Sequence, residues 1–313
     1  MQNLQGKLVE IYGQENVKCD EPMKNHTTFR IGGPAAFYVC PQNKKQLAEG
    51  LVFMKQENVA FEVIGNGSNL LVADEGFDGV IFDMSQHFNR YEILHDECRC
   101  AADKQTRVCV SVQAGVMLGK LGKELAALSL AGFEFATGIP GTIGGAVMMN
   151  AGAYGGEMKD VLVRATVMDY QGNEKVLTCE ELELGYRTSI VARAGYIVLD
   201  AVLALTPGNR AEIDEKIADF AQRRRDKQPL EYPSAGSTFK RPEGYFAGKL
   251  ISDAGLKGFT VGGAQVSEKH AGFVINTGNA TAADVISLTN QVKEKIKEQY
   301  DVELELEVRK LGC

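Results

Sequence analysis

The most constraining feature of this sequence is the segment 138–156, in which seven of nineteen residues are glycine, against 34 glycines in 313 residues overall. Glycine allows positive φ and a close backbone approach to a ligand, so that N–H groups can point at a pyrophosphate. A second segment, 65–69, reads Gly-Asn-Gly-Ser-Asn and adds side-chain donors and acceptors. Either segment alone is equally well explained by tight turns, but together they favour a dinucleotide ligand.

The common nucleotide-binding and hydrolase motifs are missing from the sequence. It contains no Gly-x-Gly-x-x-Gly after a predicted strand, no P-loop Gly-x-x-x-x-Gly-Lys-Ser/Thr and no Gly-x-Ser-x-Gly elbow. A Rossmann dehydrogenase, a P-loop kinase and an esterase are therefore not expected. A ligand held by these glycines must be held in another fold.

Length and charge narrow the class of protein further. A chain of 313 residues exceeds what one hydrophobic core usually spans, so two or three folding units are expected. The apolar share of 44% is enough to build such cores. The net charge of −7 argues against general binding to nucleic acid or to an anionic membrane, because neutralising many phosphates requires a basic surface. Any phosphate site must therefore be local.

Three features of the sequence predict a cytoplasmic protein. Residues 1–20 lack the apolar run of a signal peptide, and no window reaches the length of a membrane helix. The seven cysteines are odd in number and scattered, which is typical of reduced thiols rather than of a disulfide framework. The pair in Cys98-Arg99-Cys100 could suggest a metal, but no second Cys or His pair stands at a ligand-like spacing, so no metal is expected.

Hydrophobic periodicity predicts a mixed α and β chain with its main boundary near residue 207. There Pro207-Gly208-Asn209 interrupts a strand pattern, and a charged amphipathic helix follows. Thr281 and Asp284 form the expected capping pair of the last helix. The predicted helices are 47–59, 118–130, 211–225 and 282–299. The predicted strands are 61–64, 107–112, 161–168, 174–178 and 196–205, with a hairpin turn at 171–173.

Six motifs together resemble one known enzyme family. They lie at residues 25–33, 65–71, 138–155, 185–189, 235–240 and 306–309, and include Thr-Phe-Arg-Ile-Gly-Gly, Gly-Asn-Gly-Ser-Asn-Leu-Leu, Gly-Ile-Pro-Gly-Thr-Ile-Gly-Gly, Gly-Tyr-Arg-Thr-Ser, Ala-Gly-Ser-Thr-Phe-Lys and Leu-Glu-Val-Arg. In this order, and over residues 25–310, the chain resembles the UDP-N-acetylenolpyruvoylglucosamine reductases. The short spacing between Tyr186 and Ser237 is similar to the subgroup that lacks an extra tyrosine-bearing loop.

The resemblance implies an α+β protein with an FAD-binding fold of the vanillyl-alcohol-oxidase type. Its two FAD-binding subdomains would be residues 1–86 and 87–206, and its α+β substrate-binding domain would be 207–313. It also implies reduction of UDP-N-acetylglucosamine enolpyruvate to UDP-N-acetylmuramate in peptidoglycan synthesis, with non-covalent FAD and with NADPH as electron donor. The expected partners are these small molecules, with no nucleic acid, membrane or obligate protein partner. The alternatives are another flavin oxidoreductase of the same fold, such as an alcohol or hydroxy-acid oxidase, and a non-enzymatic flavin-binding module.

The resemblance also carries a set of binding residues onto this sequence. For the cofactor these are Arg30, Gly65, Asn66, Gly67, Ser68, Asn69, Gly138, Ile139, Pro140, Gly141, Gly144, Gly145, Asn150, Gly152 and Ala153. For the substrate they are Tyr186, Lys227, Arg241 and His270. Arg241 stands where some relatives carry Asn. The cations near Lys227 also have a simpler explanation, because positive charge at the end of a helix complements the helix dipole whatever the function.

Reducing an enolpyruvyl ether requires a hydride carrier, donors aimed at the enolate and an acid beside the carbon that is protonated. Flavin would supply the hydride. The resemblance assigns enolate stabilisation to Arg187, proton donation to Ser237 and assistance to Glu307. Each also has an ordinary explanation: a surface arginine on a turn, a serine in a small-residue turn, and the solvent face of a predicted strand on which Glu303, Glu305 and Glu307 alternate with apolar residues.

Overall fold

The structure is a computed structural model and describes residues 2–94 and 107–313. The helices of this part are α1 Gln2–Tyr12, α2 Lys44–Gln56, α3 Leu118–Ala127, α4 Ile143–Met148, α5 Ile190–Ala194, α6 Arg210–Lys227, α7 Ala247–Asp253 and α8 Ala282–Tyr300. The strands are β1 Val17–Pro22, β2 Pro34–Val39, β3 Phe61–Ile64, β4 Leu70–Val72, β5 Phe77–Asp83, β6 Tyr91–Leu94, β7 Val108–Gln113, β8 Leu130–Ala131, β9 Gly152–Ala153, β10 Gly156–Glu157, β11 Leu162–Met168, β12 Glu174–Thr178, β13 Ile197–Pro207, β14 Ser234–Ser237, β15 Thr260–Val261, β16 Ala264–Val266, β17 Phe273–Asn276 and β18 Arg309–Leu311. The Cys98-Arg99-Cys100 pair lies outside the described residues.

The chain forms two compact units, each built from separated stretches of sequence. Unit 1 comprises Met1–Lys18, Phe37–Asn66 and Gly79–Gln222. Unit 2 comprises Cys19–Ala36, Gly67–Asp78 and Arg223–Cys313. The finer division expected from the sequence, with boundaries after residues 86 and 206, stays a prediction.

An antiparallel sheet with strand order β12-β11-β13-β7-β6 forms the centre of unit 1. Its central strand β13 is buried along most of its length. Helix α3 contributes Leu118, Leu121 and Leu125 to the same core, because these residues recur at helical spacing on one face. The predicted turn is confirmed between β11 and β12, where Gly172 takes a φ of 82°.

Unit 2 contains the antiparallel sheet β14-β17-β16-β15 and the long helix α8. The predicted start of α8 is confirmed: the Thr281 side chain accepts the N–H of Asp284, and the Asp284 carboxylate accepts the N–H of Thr281. Asp74 adds a second cap, since its two oxygens accept the N–H groups of Ala282 at 2.8 Å and of Ala283 at 3.0 Å. Sequence patterns could not predict this cap, because its two parts lie more than two hundred residues apart.

The core of unit 2 joins early and late parts of the sequence. Phe29, Ile31 and Leu71 belong to one buried cluster with Leu288 and Val292 of α8. Strand β4 also pairs in parallel with β18, close to the end of the chain. The late residues therefore complete this core only with side chains from the first eighty residues.

Three helix ends differ most from the prediction: the start of α2, the end of α2 at Gln56 and the end of α3. Helix α2 begins earlier, at Lys44, because Asn43 caps it by accepting the N–H of Gln46 at 3.0 Å. Helix α3 ends earlier, at Ala127, because Ser129 has a φ of 57° and the following residues pair into the short strand β8.

The described cysteines and helices bear on the expected compartment. Cys19, Cys40, Cys179 and Cys313 are free, but Cys109 is disulfide-bonded, so the expectation that every thiol is reduced is wrong there. Within residues 2–94 and 107–313, no helix is both long and apolar enough to cross a membrane. The same residues contain no cluster of three or more His, Cys, Asp or Glu suited to a metal ion.

Candidate active site

The two glycine-rich segments meet inside unit 1. A Cβ on Gly65 would lie 2.1 Å from Oγ1 of Thr142, so only glycine allows this approach. The adjacent Asn66 donates from Nδ2 to the carbonyl of Pro140 at 2.6 Å. Parts of the two segments predicted to bind the cofactor are therefore neighbours, although 74 residues separate Asn66 from Pro140.

The two glycines of helix α4, Gly144 and Gly145, have different surroundings. Its first N–H groups are already satisfied, since Ile143 donates to the carbonyl of Val116 and Gly144 donates to that of Ala114. Gly144 is needed for this packing, because a Cβ there would lie 3.1 Å from Cβ of Ala114. At Gly145, by contrast, no atom of the described residues lies within 4 Å of where a Cβ would stand. Gly145 thus has open space over its backbone.

Asn150 follows α4 and is almost fully buried, with 1% of its surface exposed. It takes a left-handed φ of 45°, which asparagine tolerates better than most residues. Its Nδ2 donates to the carbonyl of Gly185 at 3.2 Å, and its Oδ1 accepts the N–H of Lys159 at 3.0 Å. Both polar ends of a side chain predicted to bind the cofactor are therefore used within the protein.

Arg187 lies in a two-residue turn. Gly185 and Thr188 exchange backbone hydrogen bonds of 3.0 Å and 3.4 Å, which leaves Tyr186 and Arg187 at the tip. Arg187 has a φ of 54°, and its guanidinium lies 5.4 Å from the centre of the exposed Tyr186 ring. A planar guanidinium presented on a rigid turn can hold a carboxylate by two parallel hydrogen bonds.

In unit 2, the remaining cofactor-segment residues adjoin the predicted glutamate. Gly67 has a φ of 58°, and a Cβ there would lie 2.0 Å from the carbonyl oxygen of His26. Asn69 donates from Nδ2 to the backbone carbonyl of Glu307 at 3.0 Å. The exposed Arg30 takes a φ of 55° on the turn from Thr27.

The structure brings Ser237 and Glu307 together within unit 2. The N–H of Glu307 donates to the carbonyl of Thr238, the residue after Ser237, at 2.9 Å. Ser237 ends strand β14 after Gly236, whose φ is 78°, and both Ser237 and Glu307 are half-buried. Ser237 and Glu307 therefore lie on two segments of backbone that a hydrogen bond joins at Thr238.

The prediction that the alternating glutamates lie on a regular strand is wrong. Residues 301–308 form no strand and only a single bridge, between Phe239 and Leu306. The alternation still separates the carboxylates: Glu303 and Glu305 are exposed, and Lys240 lies 2.9 Å from Glu305. The hydrogen bond from this lysine holds the pKa of Glu305 below its usual value. Glu305 is therefore a surface ion pair, and the half-buried Glu307 is set apart from it.

Three of the predicted substrate-binding residues lie in unit 2. His270 accepts the N–H of Gly272 on Nδ1 at 3.1 Å, and burial lowers its pKa, with the charges of Lys257 and Lys227 acting in the same direction. Arg241 lies 4.0 Å over the ring of the exposed Phe246. Tyr186, the fourth, belongs to unit 1. Lys257, whose charge lowers the pKa of His270, could not be identified from the sequence, because a lone lysine in a loop carries no signal.

Two family models match the chain. A FAD binding domain matches residues 35–179, and the UDP-N-acetylenolpyruvoylglucosamine reductase C-terminal domain matches residues 228–311. The first covers the segments that meet at Gly65, Thr142 and Gly145, and the second covers Ser237 and Glu307. The protein is therefore a flavin-dependent oxidoreductase of α+β fold, with an FAD-binding part followed by a distinct C-terminal domain.

Full-length relatives define the family. The reductase of this name from Clostridium perfringens (strain SM101 / Type A) is 52% identical over 305 residues, covering 97% of this chain and 96% of the relative. That from Clostridioides difficile (strain 630) is 49% identical, covering 99% and 98%. The crystal structure of the reductase from Thermus caldophilus is 34% identical, with a TM-score of 0.77, covering 95% and 98%. The chain belongs to the UDP-N-acetylenolpyruvoylglucosamine reductase family, and uses FAD with NADPH as the reductant. The expected fold class, the vanillyl-alcohol-oxidase type of FAD-binding fold, is confirmed.

Proposed function

We propose that this protein reduces UDP-N-acetylglucosamine enolpyruvate to UDP-N-acetylmuramate, with Arg187, Ser237 and Glu307 as its catalytic residues. The observation that carries the assignment is the match to these reductases along 97% of the chain, within which the segments of Ser237 and Glu307 are joined by the hydrogen bond from the Glu307 N–H to the Thr238 carbonyl. A flavin-binding module without this reaction would have no need of such a pair.

The cofactor site is proposed to draw on both glycine-rich segments. The residues proposed to contact FAD are Arg30 and residues 65–69, 138–141, 144, 145, 150, 152 and 153. The space over Gly145 supports this assignment, because fixed packing does not require glycine there. When bound, FAD carries hydride from NADPH to the terminal carbon of the enolpyruvyl group.

Arg187 binds the pyruvyl carboxylate in this proposal. Hydride addition to the terminal carbon pushes negative charge onto the neighbouring carbon and its carboxylate. A guanidinium already in place when that charge develops needs no reorganisation, and one such donor is typically worth about 3 kcal/mol. The turn from Gly185 to Thr188 supplies the rigidity that this role requires.

Ser237 then gives its hydroxyl proton to the carbon that bears the carboxylate. A serine hydroxyl is a weak acid, so the step depends on a neighbour that can return a proton. Glu307 in its protonated form is proposed for this role; its N–H bonds to the carbonyl of Thr238, the residue that follows Ser237. General acid catalysis of this kind contributes about 10² to 10⁴ in rate.

The UDP end of the substrate is assigned to Tyr186, Lys227, Arg241 and His270. Burial lowers the pKa of His270, and the charges of Lys257 and Lys227 act in the same direction, which keeps the imidazole neutral. With Nδ1 as acceptor, neutral His270 presents Nε2–H as a donor to a phosphate oxygen or hydroxyl. The reaction would take place in the cytoplasm and supply cell-wall synthesis, on which cell shape and division depend.

An anaerobic absorption experiment tests cofactor, donor and acceptor together. The purified protein should show an oxidised flavin spectrum, bleach on addition of NADPH and recover on addition of the enolpyruvyl nucleotide. No recovery with that nucleotide, combined with rapid oxygen consumption on a small alcohol, would instead identify an oxidase of the same fold.

The Ser237→Ala variant tests the acid. NADPH should bleach its flavin at the normal rate, whereas recovery with the enolpyruvyl nucleotide should slow by about 10² to 10⁴. Ser234→Ala, on the same strand, is the matched control and should recover normally. Normal recovery in Ser237→Ala would exclude Ser237 as the proton donor.

A further inference from the structure

Side-chain hydrogen bonds hold the turn that carries Arg187 on both sides, and no sequence motif predicts them. On one side the buried Asn150 donates to the carbonyl of Gly185, the first residue of the turn. On the other side the hydroxyl of Ser189, the residue after the turn, donates to the carbonyl of Met148 at 2.6 Å. Both attachments reach the same stretch, the end of α4 and the residues after it.

We propose that Asn150 and Ser189 are positioning residues that set the place of Arg187. The inference rests on the proposed role of Arg187 and deepens it. It gives the Asn150 side chain a role of its own beside the proposed contact of its backbone with the cofactor, since Nδ2 and Oδ1 are already bonded to Gly185 and Lys159.

Ser189 departs from ordinary helix chemistry in a way that supports this role. It is the N-cap residue of α5, where a serine hydroxyl normally accepts an N–H of its own helix. Here the side chain makes no such cap and bonds to Met148 instead, with none of its surface exposed. The hydroxyl therefore joins two segments that are 41 residues apart in the sequence.

Asn150 is fixed as firmly as Ser189. Its two polar ends are buried, so losing either partner would leave an unsatisfied group away from water. Its bond to Lys159 orients the amide, and the amide in turn holds Gly185. Since Gly144 and Gly145 lie one turn earlier in α4, any shift of this helix end moves the Arg187 turn with it. Arg187 is thereby kept in register with the glycine-rich backbone.

The test replaces Asn150 with glycine, which accepts the left-handed φ and deletes both hydrogen bonds. The matched control is Asn58→Gly, because Asn58 is an exposed asparagine with a similar φ of 53°. Asn150→Gly should lower kcat/KM for the enolpyruvyl nucleotide by about 10- to 100-fold, as a misplaced binding group does. It should also weaken binding of UDP-N-acetylmuramate, which carries a carboxylate. Asn58→Gly should change neither quantity.

A double-mutant cycle with Arg187→Ala separates positioning from general damage. If Asn150 acts through Arg187, adding Asn150→Gly to Arg187→Ala should cost less than about twofold further, because contacting residues that act as one unit are not additive. Ser189→Ala should show the same pattern, and it provides the test should Asn150→Gly not fold.

Three results would overturn the inference. Two of them concern Asn150 and Ser189 themselves, and the third concerns the proposed role of Arg187. Fully additive losses in the cycle would show that Asn150 and Ser189 act independently of Arg187. Loss of FAD from Asn150→Gly, with Ser189→Ala normal, would make Asn150 a cofactor ligand. Normal flavin recovery in Arg187→Ala would instead remove the proposed role of Arg187, on which the inference rests.

Discussion

The two regions that carry the proposed catalytic residues are held by different kinds of bond. In unit 1, buried side chains hold the Arg187 turn: Asn150 at one end and Ser189 at the other. In unit 2, the segments of Ser237 and Glu307 are joined by a bond between main-chain groups, the N–H of Glu307 and the carbonyl of Thr238, and the Asn69 side chain adds a bond to the Glu307 carbonyl. Backbone pairing survives most substitutions, whereas a buried side-chain bond depends on the identity of one residue. Substitutions should therefore displace Arg187 more easily than they displace Ser237 and Glu307.

The strongest way to test this comparison is to change both regions conservatively. Arg187→Lys keeps the positive charge but loses the planar fork, so we expect kcat/KM for the enolpyruvyl nucleotide to fall by about 100-fold, near the full value of a preorganised donor. Flavin reduction by NADPH should be unaffected, as measured by stopped-flow absorbance. Near-normal kcat/KM would mean that charge alone is needed, and the rigid turn would lose its significance.

The next largest effect is expected from glycines in unit 1, read as a pair. Gly65→Ala places a Cβ 2.1 Å from Thr142 and should destabilise the protein by about 1–3 kcal/mol, as overpacking does. Gly145→Ala meets no described atom within 4 Å and should stabilise the FAD-free protein by up to about 1 kcal/mol while weakening FAD binding. Denaturant unfolding and flavin titration measure the two quantities. Undiminished FAD affinity in Gly145→Ala would show that the space over Gly145 is not the cofactor site.

In unit 2 the matching test is Asp74→Ala. It removes both hydrogen bonds to the start of α8, but leaves the Thr281–Asp284 capping pair in place. The free energy of unfolding should fall by about 1–2 kcal/mol, the usual value of a helix cap. Asp78→Ala, an exposed aspartate in the adjacent strand, is the control. Equal stability in the two variants would leave Asp74 without a capping role.

The smallest expected effect is the pH dependence that His270 gives to unit 2. Its pKa is lowered from 6.5 in the folded state, so the unfolded chain binds the proton more readily. Stability should therefore be complete above pH 6.5 and decrease as pH falls from 6.5 towards the lowered pKa. His270→Asn should flatten this part of the profile of unfolding free energy against pH. An unchanged slope in the variant would assign the dependence to other groups.

Local sequence patterns predicted the helices and strands, but they could not predict hydrogen bonds between residues that are far apart in the sequence. Helix α8 could be placed from its apolar period and from Thr281 and Asp284, because all of those signals lie within the helix and its cap. The Asp74 cap and the Asn150–Gly185 bond could not, because each joins residues that the sequence separates. A single buried asparagine reads like any loop asparagine until its partner is known.

In the candidate site, too, some features were predicted from the sequence and others depend on long-range contacts. Motif resemblance singled out Arg187, Ser237 and Glu307, and for Ser237 and Glu307 the structure adds that they adjoin. Alternation of Glu303, Glu305 and Glu307 predicted a regular strand, but periodicity says nothing about whether a partner strand is present. Only the contact of Lys240 with Glu305 distinguishes a surface carboxylate from the half-buried Glu307.

The pairing of β4 with β18 has a consequence for how the chain matures on the ribosome. Leu70 to Val72 are made more than two hundred residues before their partner strand, which begins at Arg309. Until that later stretch emerges, Phe29, Ile31 and Leu71 remain without most of the cluster that covers them. The nascent protein must carry these apolar side chains exposed over this interval, during which chaperone protection is most valuable.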